Sequence, residues 1–294
     1  MIINGKAIAQ DLLQKLKKDI DGLKQQGITP TLAVILVGKN PESLSYVRQK
    51  QFAAEDIGAR LVIRYQLSTV DPQTIQSLIR EYNKDLNIHG VILQRPLPEH
   101  LQNPKLLNSV KPEKDIDGFV PGSKFKVPVA LAVEKILKQI YKFQIPNDKS
   151  MQQLSNEAMK QYTLWLKEQT IVVIGRGETA GKPIAAFFIQ QGCNVSVIHS
   201  QTSEKEKQRT LTNADIIISC VGKERVVTPQ SIKQGAILIS VGIWRDSEGK
   251  LHGDYEEDDI KDIASFYTPT PGGVGPVNVS CLMQNLVTAA NSVN

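Results

Sequence analysis

The chain has few of the residues that mark an exported or metal-binding protein. Its 294 residues include only three cysteines, Cys193, Cys220 and Cys281, which lie far apart in apolar surroundings. Such thiols are typical of buried side chains in a reducing compartment and not of a disulfide framework. The four histidines are also scattered without the spacing of metal ligands, so we expect no bound metal.

Long apolar runs and blocks of like charge are absent as well. No stretch is long enough to span a membrane, and the first residues lack the pattern of a secretory signal, so a cytoplasmic protein without a membrane partner is expected. The net charge of +5 is mild, and basic residues alternate with acidic ones. This balance is compatible with an anionic small substrate and does not indicate nucleic-acid binding.

What the chain does have is an alternation of strand and helix patterns in both halves. Amphipathic patterns predict helices, and short apolar runs between turn residues predict buried strands of a mainly parallel sheet with helices on both faces. The predicted strands are 31–37, 61–65, 90–93, 170–174, 194–198, 215–219 and 236–241, and the predicted helices include 7–25, a helix after Pro41, 72–83 and 279–292.

The pattern therefore predicts an α/β protein of two domains. A turn predicted at 146–150, followed by a loose helical period from Leu154 to Leu166, places the boundary near 140–150. The domains are assigned as 1–142 and 143–276, with the last segment, 277–294, packing back on the first domain.

The pair Tyr46 and Lys50 is the earliest candidate for a functional site. Asn40 and Pro41 form a good helix start, so the two side chains lie at positions i and i+4 on one helix face. The preceding apolar strand places them near its carboxyl end, where open α/β sheets bind ligands. A tyrosine packed on the core beside a solvated lysine is an equally good interpretation of these two residues alone.

A glycine-rich loop, Gly175-Arg-Gly177-Glu-Thr-Ala-Gly181, follows a predicted strand and precedes a predicted helix. In this context the glycines permit a tight turn, and the helix N-terminus favours phosphate groups. The next strand ends at His199-Ser200-Gln201-Thr202 without the acidic residue that binds the ribose of NAD. Arg176 and Ser200 could instead bind a 2′-phosphate, so NADP is favoured, with NAD as the open alternative.

Three further segments carry polar or rigid groups. Gln94-Arg-Pro96-Leu-Pro98 places an amide at the end of a strand, and Lys114-Asp-Ile-Asp117-Gly118 places two carboxylates in a loop, where Asp most often caps a turn. Pro271-Gly272-Gly273-Val-Gly-Pro276 is too stiff and too rich in glycine for a regular helix or central strand, and it could serve as a hinge or contact a flat ligand.

Taken together, these motifs resemble those of the bifunctional methylenetetrahydrofolate dehydrogenase/methenyltetrahydrofolate cyclohydrolase family. The resemblance rests on five signatures in order: Ser43-x-x-Tyr46-x-x-x-Lys50, Gln94-x-Pro96-Leu-Pro98, Lys114-Asp-Ile-Asp117-Gly118, the loop from Gly175 to Gly181-Lys-Pro183, and Pro271-Gly-Gly-Val-Gly-Pro276. It implies an N-terminal folate-binding domain, a C-terminal Rossmann-like domain for NAD(P), homodimerisation through the C-terminal domain, and a place in one-carbon metabolism and purine biosynthesis.

The resemblance also implies a role for each candidate residue. Lys50 would act as the general acid/base of the cyclohydrolase step, and Gln94 would position it. Tyr46 would stack on the tetrahydrofolate substrate, and Asp117 would bind its pterin. Further contacts would come from Pro96, Pro271, Gly272 and Gly273 for the substrate, and from Gly175, Arg176, Gly177, Gly181, Ser200 and Gly222 for the cofactor.

The motifs allow two other interpretations. Short-chain dehydrogenases also use Tyr-x-x-x-Lys, but their glycine fingerprint precedes that pair, whereas here Gly175 follows Lys50. A regulatory module that binds dinucleotide or folate without turnover is the second alternative. It stays open because the segment after Phe119, from Val120 to Pro128, is shorter than the family pattern. The stretch at 147–168 is also longer than the usual interdomain link, which could alter the cofactor preference or the coupling between the two activities.

Overall fold

The computed structural model of the chain describes residues 1–145 and 156–292, so the predicted turn at 146–150 and Leu154 lie outside the described residues. The helices are α1 (Gly5–Gln25), α2 (Pro41–Ile57), α3 (Pro72–Lys84), α4 (Pro104–Leu107), α5 (Pro128–Gln144), α6 (Asn156–Glu168), α7 (Gly181–Gln190), α8 (Glu204–Thr212), α9 (Glu257–Ile260) and α10 (Val274–Asn291). The strands are β1 (Thr31–Val37), β2 (Arg60–Gln66), β3 (Gly90–Leu93), β4 (Thr170–Ile174), β5 (Asn194–Ile198), β6 (Ile216–Ser219), β7 (Ile237–Ser240), β8 (Trp244–Arg245), β9 (Leu251–His252) and β10 (Phe266–Tyr267).

By its internal contacts the chain divides into two compact units. The first unit contains Ala9–Pro128 and the chain from Asn278 onward, and the second unit contains Met1–Ile8 and Val129–Val277. Helix α5 thus groups with the second unit, whereas the sequence patterns place the domain boundary at 142. Its contacts give the reason, because the ring of Tyr141 packs against Trp165 of α6 with centroids 5.2 Å apart.

The first unit is built on a parallel sheet with the strand order β2-β1-β3. Every residue of β1 is buried. Alternate side chains of a strand point to opposite faces, so Leu32, Val34 and Leu36 join one apolar cluster while Ala33, Ile35 and Val37 join another. The first cluster contains residues of α1, α2 and α10, and the second contains residues of α3, so helices cover both faces of the sheet.

The second unit contains a longer parallel sheet with the order β10-β7-β6-β4-β5. The central strands β6 and β7 are buried along their whole length, and helix α7 contacts β4 and β5. A short antiparallel hairpin, β8-β9, follows β7. These two parallel sheets confirm the predicted α/β fold class. Each of the seven predicted strands is observed within one residue of its predicted bounds, whereas the two-residue strands β8, β9 and β10 were not predicted.

The last helix begins earlier than the sequence suggested. Helix α10 begins at Val274, so Gly275 and Pro276 lie inside its first turn, and the prediction that this segment is too stiff for a regular helix was wrong at that point. A proline is tolerated there because the first N–H groups of a helix have no partner within the helix. Among the described residues, no helix combines the length and apolar composition that a membrane crossing requires.

Candidate active site

Lys50 lies on the buried side of α2 in the first unit. Helix α2 begins where the Asn40 side chain accepts a hydrogen bond from the Ser43 N–H, with Pro41 as its first residue, as the sequence predicts. Only 9% of the surface of Lys50 is exposed, and its Nζ donates a 2.9 Å hydrogen bond to Oε1 of Gln94. The buried lysine is therefore held by a neutral amide, which does not compensate its charge.

Gln94 is itself fixed in one orientation. It directly follows β3, where its backbone N–H donates to the Ile35 carbonyl oxygen and extends the pairing with β1. Its Nε2 donates to the carbonyl oxygen of Arg95 at 2.7 Å, which leaves Oε1 facing Lys50. The amide thus acts as an acceptor toward the amine and cannot rotate without losing two hydrogen bonds.

Two opposed electrostatic effects act on Lys50. Burial lowers the pKa of its ammonium group below the ordinary value, and the negative charge of Asp117 raises the pKa by a smaller amount. The net pKa is lowered, so a larger fraction of neutral amine exists near neutral pH than for an exposed lysine. A neutral amine can accept a proton from water, which is what general base catalysis requires.

The two carboxylates in the loop after β3 have different surroundings. Asp115 is buried, and it accepts a 2.7 Å hydrogen bond from the Val120 N–H, so it caps the turn. Burial raises the pKa of Asp115, opposed by that hydrogen bond. Asp117 is half-buried and acts on Lys50 electrostatically. The structure therefore separates a structural carboxylate from one that is available to a ligand.

The short segment after Phe119 holds this loop in place. Gly118 has a φ of +74°, and a Cβ there would lie 2.8 Å from the carbonyl oxygen of Phe125, so the segment packs closely against the turn. The Asn285 side chain on α10 donates to the carbonyl oxygens of both Ile116 and Lys126, at 2.8 and 3.0 Å. The shortened segment therefore supports the position of Asp117.

The remaining candidates of the first unit lie near this group in the chain. Tyr46 is half-buried one turn before Lys50 on α2, and Pro96 is exposed two residues after Gln94. The guanidinium of Arg95 lies 4.8 Å from the centroid of the Phe119 ring. The first unit thus brings Lys50, Gln94 and Asp117 together, with Tyr46 on the same helix as Lys50.

In the second unit, the glycine-rich loop connects β4 to the start of α7. Gly175 has a φ of +102°, and a Cβ on Gly181 would overlap the carbonyl oxygen of Gly175. Only glycine permits this close approach, which brings the first turn of α7 onto the loop. Gly177 is exposed, with no atom near the position of a Cβ. The loop therefore has the shape of a phosphate-binding turn at a helix N-terminus.

Arg176 and Ser200 are both exposed at the carboxyl ends of neighbouring strands, β4 and β5. The Nη2 atom of Arg176 donates a 2.9 Å hydrogen bond to Oε1 of Gln201, the residue after Ser200. A cation is thus held beside the end of β5, where a carboxylate would stand in a site for the ribose of NAD.

Gly222 is the last candidate for cofactor binding. It follows β6, the strand paired with β4, and has a φ of +71°. Pro271 is exposed, and Gly272 has a φ of +108°. Gly273 is buried, and a Cβ on Gly5 would overlap its carbonyl oxygen, so the first turn of α1 packs directly on this segment. These residues all belong to the second unit.

Comparison with known proteins identifies the family. Residues 3–117 match the model of the tetrahydrofolate dehydrogenase/cyclohydrolase catalytic domain, and residues 154–294 match that of the NAD(P)-binding domain of the same enzymes. The chain is 38% identical over 299 residues to the bifunctional protein FolD of Lactococcus lactis, covering 99% of this chain and 97% of the relative. The chain belongs to the tetrahydrofolate dehydrogenase/cyclohydrolase family.

Solved structures of the tetrahydrofolate dehydrogenase/cyclohydrolase family share the fold. A bifunctional FolD enzyme from Campylobacter jejuni superposes with a TM-score of 0.87 at 31% identity, and 99% of each chain is covered. The Trypanosoma brucei enzyme, solved with NADP and an inhibitor, gives a TM-score of 0.85 at 28% identity over 99% of this chain and 97% of that chain. The resemblance inferred from the five motifs is therefore confirmed.

Two residues that hold candidate site residues in place, one in each unit, were not predicted from the sequence. The sequence pattern assigns no role to Gln201, although its side chain holds Arg176. Asn285 lies far along the chain from the loop that it fixes, and it is buried on a helix that reads as apolar. A polar residue in the middle of an apolar helix face was the signal that could have found Asn285.

Proposed function

We propose that this chain oxidises 5,10-methylene-tetrahydrofolate with NADP and hydrolyses the resulting 5,10-methenyl-tetrahydrofolate to 10-formyl-tetrahydrofolate. The family supports both activities, and the relatives from Lactococcus and Campylobacter are named as bifunctional. The observation that carries the hydrolytic half is the buried Lys50 amine held by Gln94. These reactions supply one-carbon units, which purine biosynthesis consumes.

In the hydrolytic step, water attacks the methenyl carbon and must lose a proton. Neutral Lys50 accepts that proton, which its lowered pKa allows near neutral pH. The ammonium formed then donates a proton to the pterin nitrogen as its bond to the carbon breaks, while the hydroxyl of the intermediate loses its own proton to solvent. One water is consumed and one proton released, and Lys50 returns to the neutral amine.

The other residues of the first unit bind and orient the substrate in this proposal. Tyr46, half-buried on α2, stacks on the flat part of the substrate, and Asp117 accepts hydrogen bonds from the amino edge of the pterin. Pro96, exposed two residues after Gln94, adds an apolar contact to the substrate. Asp117 thereby has two roles, because its charge also acts on Lys50.

The second unit has groups that fit NADP. The close approach of Gly181 to Gly175 is a cradle that a Cβ would fill, so backbone N–H groups can reach a phosphate there. Arg176, held by Gln201, and Ser200 would bind the 2′-phosphate, while Gly177 and Gly222 leave room for the dinucleotide. NADP would supply the acceptor for the hydride of the methylene carbon, and the residues of this unit would contribute mainly its orientation.

The experiment that tests the proposed function follows the absorbance of methenyl-tetrahydrofolate. The chain should bleach this substrate without any dinucleotide, and it should form methenyl-tetrahydrofolate from the methylene compound when NADP is added. Failure of both reactions would favour the regulatory-module alternative.

The preference for NADP is tested separately with Arg176→Ala. This substitution should raise the KM for NADP and leave the KM for NAD unchanged. Equal use of both dinucleotides by the unaltered chain would contradict the proposed preference for NADP.

The assembly and location are also part of this proposal. We expect a homodimer formed through the second unit, because β5 is the last strand in its sheet order and Val197 on it is exposed. Sedimentation or light scattering would test the dimer, and a monomer at micromolar concentration would contradict it.

We also expect a cytoplasmic location. The three cysteines of the chain, all in its described part, are free thiols, which fits the cytoplasm.

A further inference from the structure

Asp254 in the second unit is a fully buried carboxylate that accepts hydrogen bonds from the last residue of β6 and from the short loop that follows it. Its Oδ2 accepts from the Ser219 hydroxyl at 2.6 Å and from the Val221 N–H at 2.9 Å. Its Oδ1 accepts from the N–H groups of Gly222 and Lys223, at 2.7 and 3.0 Å. Successive backbone N–H groups that converge on one point form a site for an anion, and here a side chain of the protein fills it.

The loop from Cys220 to Lys223, which we call the β6 loop, follows the carboxyl end of β6. Strand β6 lies between β4, which leads to the glycine-rich loop, and β7. A Cβ on Gly175 would lie 3.0 Å from the Cys220 carbonyl oxygen, and one on Gly242, after β7, would overlap the Asp254 carboxylate and the Gly222 nitrogen. The β6 loop is thus closely packed between the segments that follow β4 and β7, and Gly242 leaves no room for a side chain beside the Asp254 carboxylate.

The backbone of Asp254 is also held by a hydrogen bond to β7. Its backbone N–H donates to Oγ of Ser240, the last residue of β7, at 2.9 Å. Because β7 is buried along its length, the carboxylate is fixed relative to the sheet and not to a surface loop. The conformation of the β6 loop therefore depends on Asp254, whereas the position of Asp254 depends on the core of the unit.

We propose that Asp254 is a positioning residue for the dinucleotide, which holds the β6 loop in the conformation that binds the cofactor at the carboxyl edge of the sheet. By filling the anion site itself, it prevents the Val221, Gly222 and Lys223 N–H groups from binding a phosphate. The pyrophosphate is thereby directed to the glycine-rich loop, and the β6 loop is left to contact the nucleoside part of the ligand. This proposal rests on the proposed function only for the identity of the dinucleotide.

The variant Asp254→Asn removes the negative charge and one acceptor oxygen but keeps the shape of the side chain. If its amide nitrogen took the place of Oδ1, it would face two N–H donors, Gly222 and Lys223. We therefore expect it at the Oδ2 position, where Ser219 can reverse its hydrogen bond but the Val221 N–H meets another donor. The β6 loop should shift at Val221 while the fold is retained.

The matched control is Asp215→Asn. Asp215 belongs to the same unit and accepts a hydrogen bond from the Thr170 N–H at 2.7 Å, but it precedes β6 and so lies at the opposite edge of the sheet. A purely structural loss should lower the melting temperature in both variants, whereas a positioning role should change cofactor binding only in Asp254→Asn. Ser219→Ala, which removes one donor, provides a milder variant should Asp254→Asn fail to fold.

The experiment measures the Kd of NADP by titration, the KM for NADP, and the cyclohydrolase rate without dinucleotide, using the full chain. Asp254→Asn should weaken NADP binding about ten-fold, the order expected for one lost charge-assisted hydrogen bond, with Ser219→Ala intermediate. The cyclohydrolase rate, whose residues lie in the first unit, should change less than the NADP affinity does. A normal Kd in Asp254→Asn, or equal weakening in Asp215→Asn, would overturn the proposal. Absence of both activities in the unaltered chain would refute the proposed function instead, and NADP titration would still test Asp254.

Discussion

Replacing Gln94 by glutamate should move the pH dependence of the cyclohydrolase reaction upward. Oε1 of Gln94 accepts a 2.9 Å hydrogen bond from Lys50 Nζ in a buried setting, so Gln94→Glu would put a negative charge in contact with the amine. An opposite charge at this range moves a pKa by about 1 to 3 in the direction that favours the charged form. The lysine pKa, lowered by burial, should therefore rise toward its ordinary value or above it.

The expected magnitude follows from the fraction of neutral amine. At any pH below the pKa, raising the pKa by 1 lowers that fraction about ten-fold, so kcat/KM on the acid limb should fall by roughly 10- to 1000-fold and recover as the pH rises. The assay is the bleaching of methenyl-tetrahydrofolate across pH. Gln102→Glu is the control, because it adds the same charge at an exposed position where the Gln102 Nε2 donates to the Leu97 carbonyl oxygen and not to Lys50. This substitution should leave the dependence of kcat/KM on pH unchanged. A loss of rate that is equal at every pH would refute the proton role of Lys50.

Two further substitutions test the cofactor loop and the core. Gly181→Ala should weaken NADP binding and slow the dehydrogenase, because its Cβ would overlap the Gly175 carbonyl oxygen. Gly22→Ala is the control, since no atom lies near the position of its Cβ. An unchanged KM for NADP in Gly181→Ala would contradict the role given to the close approach of Gly181 to Gly175. Leu286→Ala should lower the free energy of unfolding by about 2–5 kcal/mol in urea titrations, since the side chain is fully buried in the first unit. Leu86→Ala, largely exposed, should cost about 0.5 kcal/mol or less, and equal losses would place Leu286 outside the core.

The longer strands were predictable from the sequence because short apolar runs between turn residues have few alternatives, and the family was predictable from its five motifs. The run 31–37 is buried at every position, and its two faces join different apolar clusters, as expected for a parallel sheet. Helix α10 was harder, because Gly275 and Pro276 normally argue against a helix and only their position in the first turn permits one.

The site was only partly predictable, because its electrostatics depend on contacts between distant residues. The i, i+4 spacing put Tyr46 and Lys50 on one face, but it could not show that Lys50 is buried against Gln94. Nor could the loop sequence tell which of Asp115 and Asp117 caps the turn, since both are carboxylates two residues apart. The hydrogen bond from Arg176 to Gln201 likewise arises only when two strand ends are brought together by the sheet.

In the proposed mechanism, Lys50 moves the proton in the hydrolytic reaction and takes no part in hydride transfer. The most direct measurement follows both reactions of Lys50→Met in one preparation, starting from methylene-tetrahydrofolate and NADP. We expect methenyl-tetrahydrofolate to form and accumulate, with its enzymatic hydrolysis lowered by about 10²- to 10⁴-fold, the usual contribution of a general acid/base. Hydrolysis at the rate of the unaltered chain would contradict this mechanism.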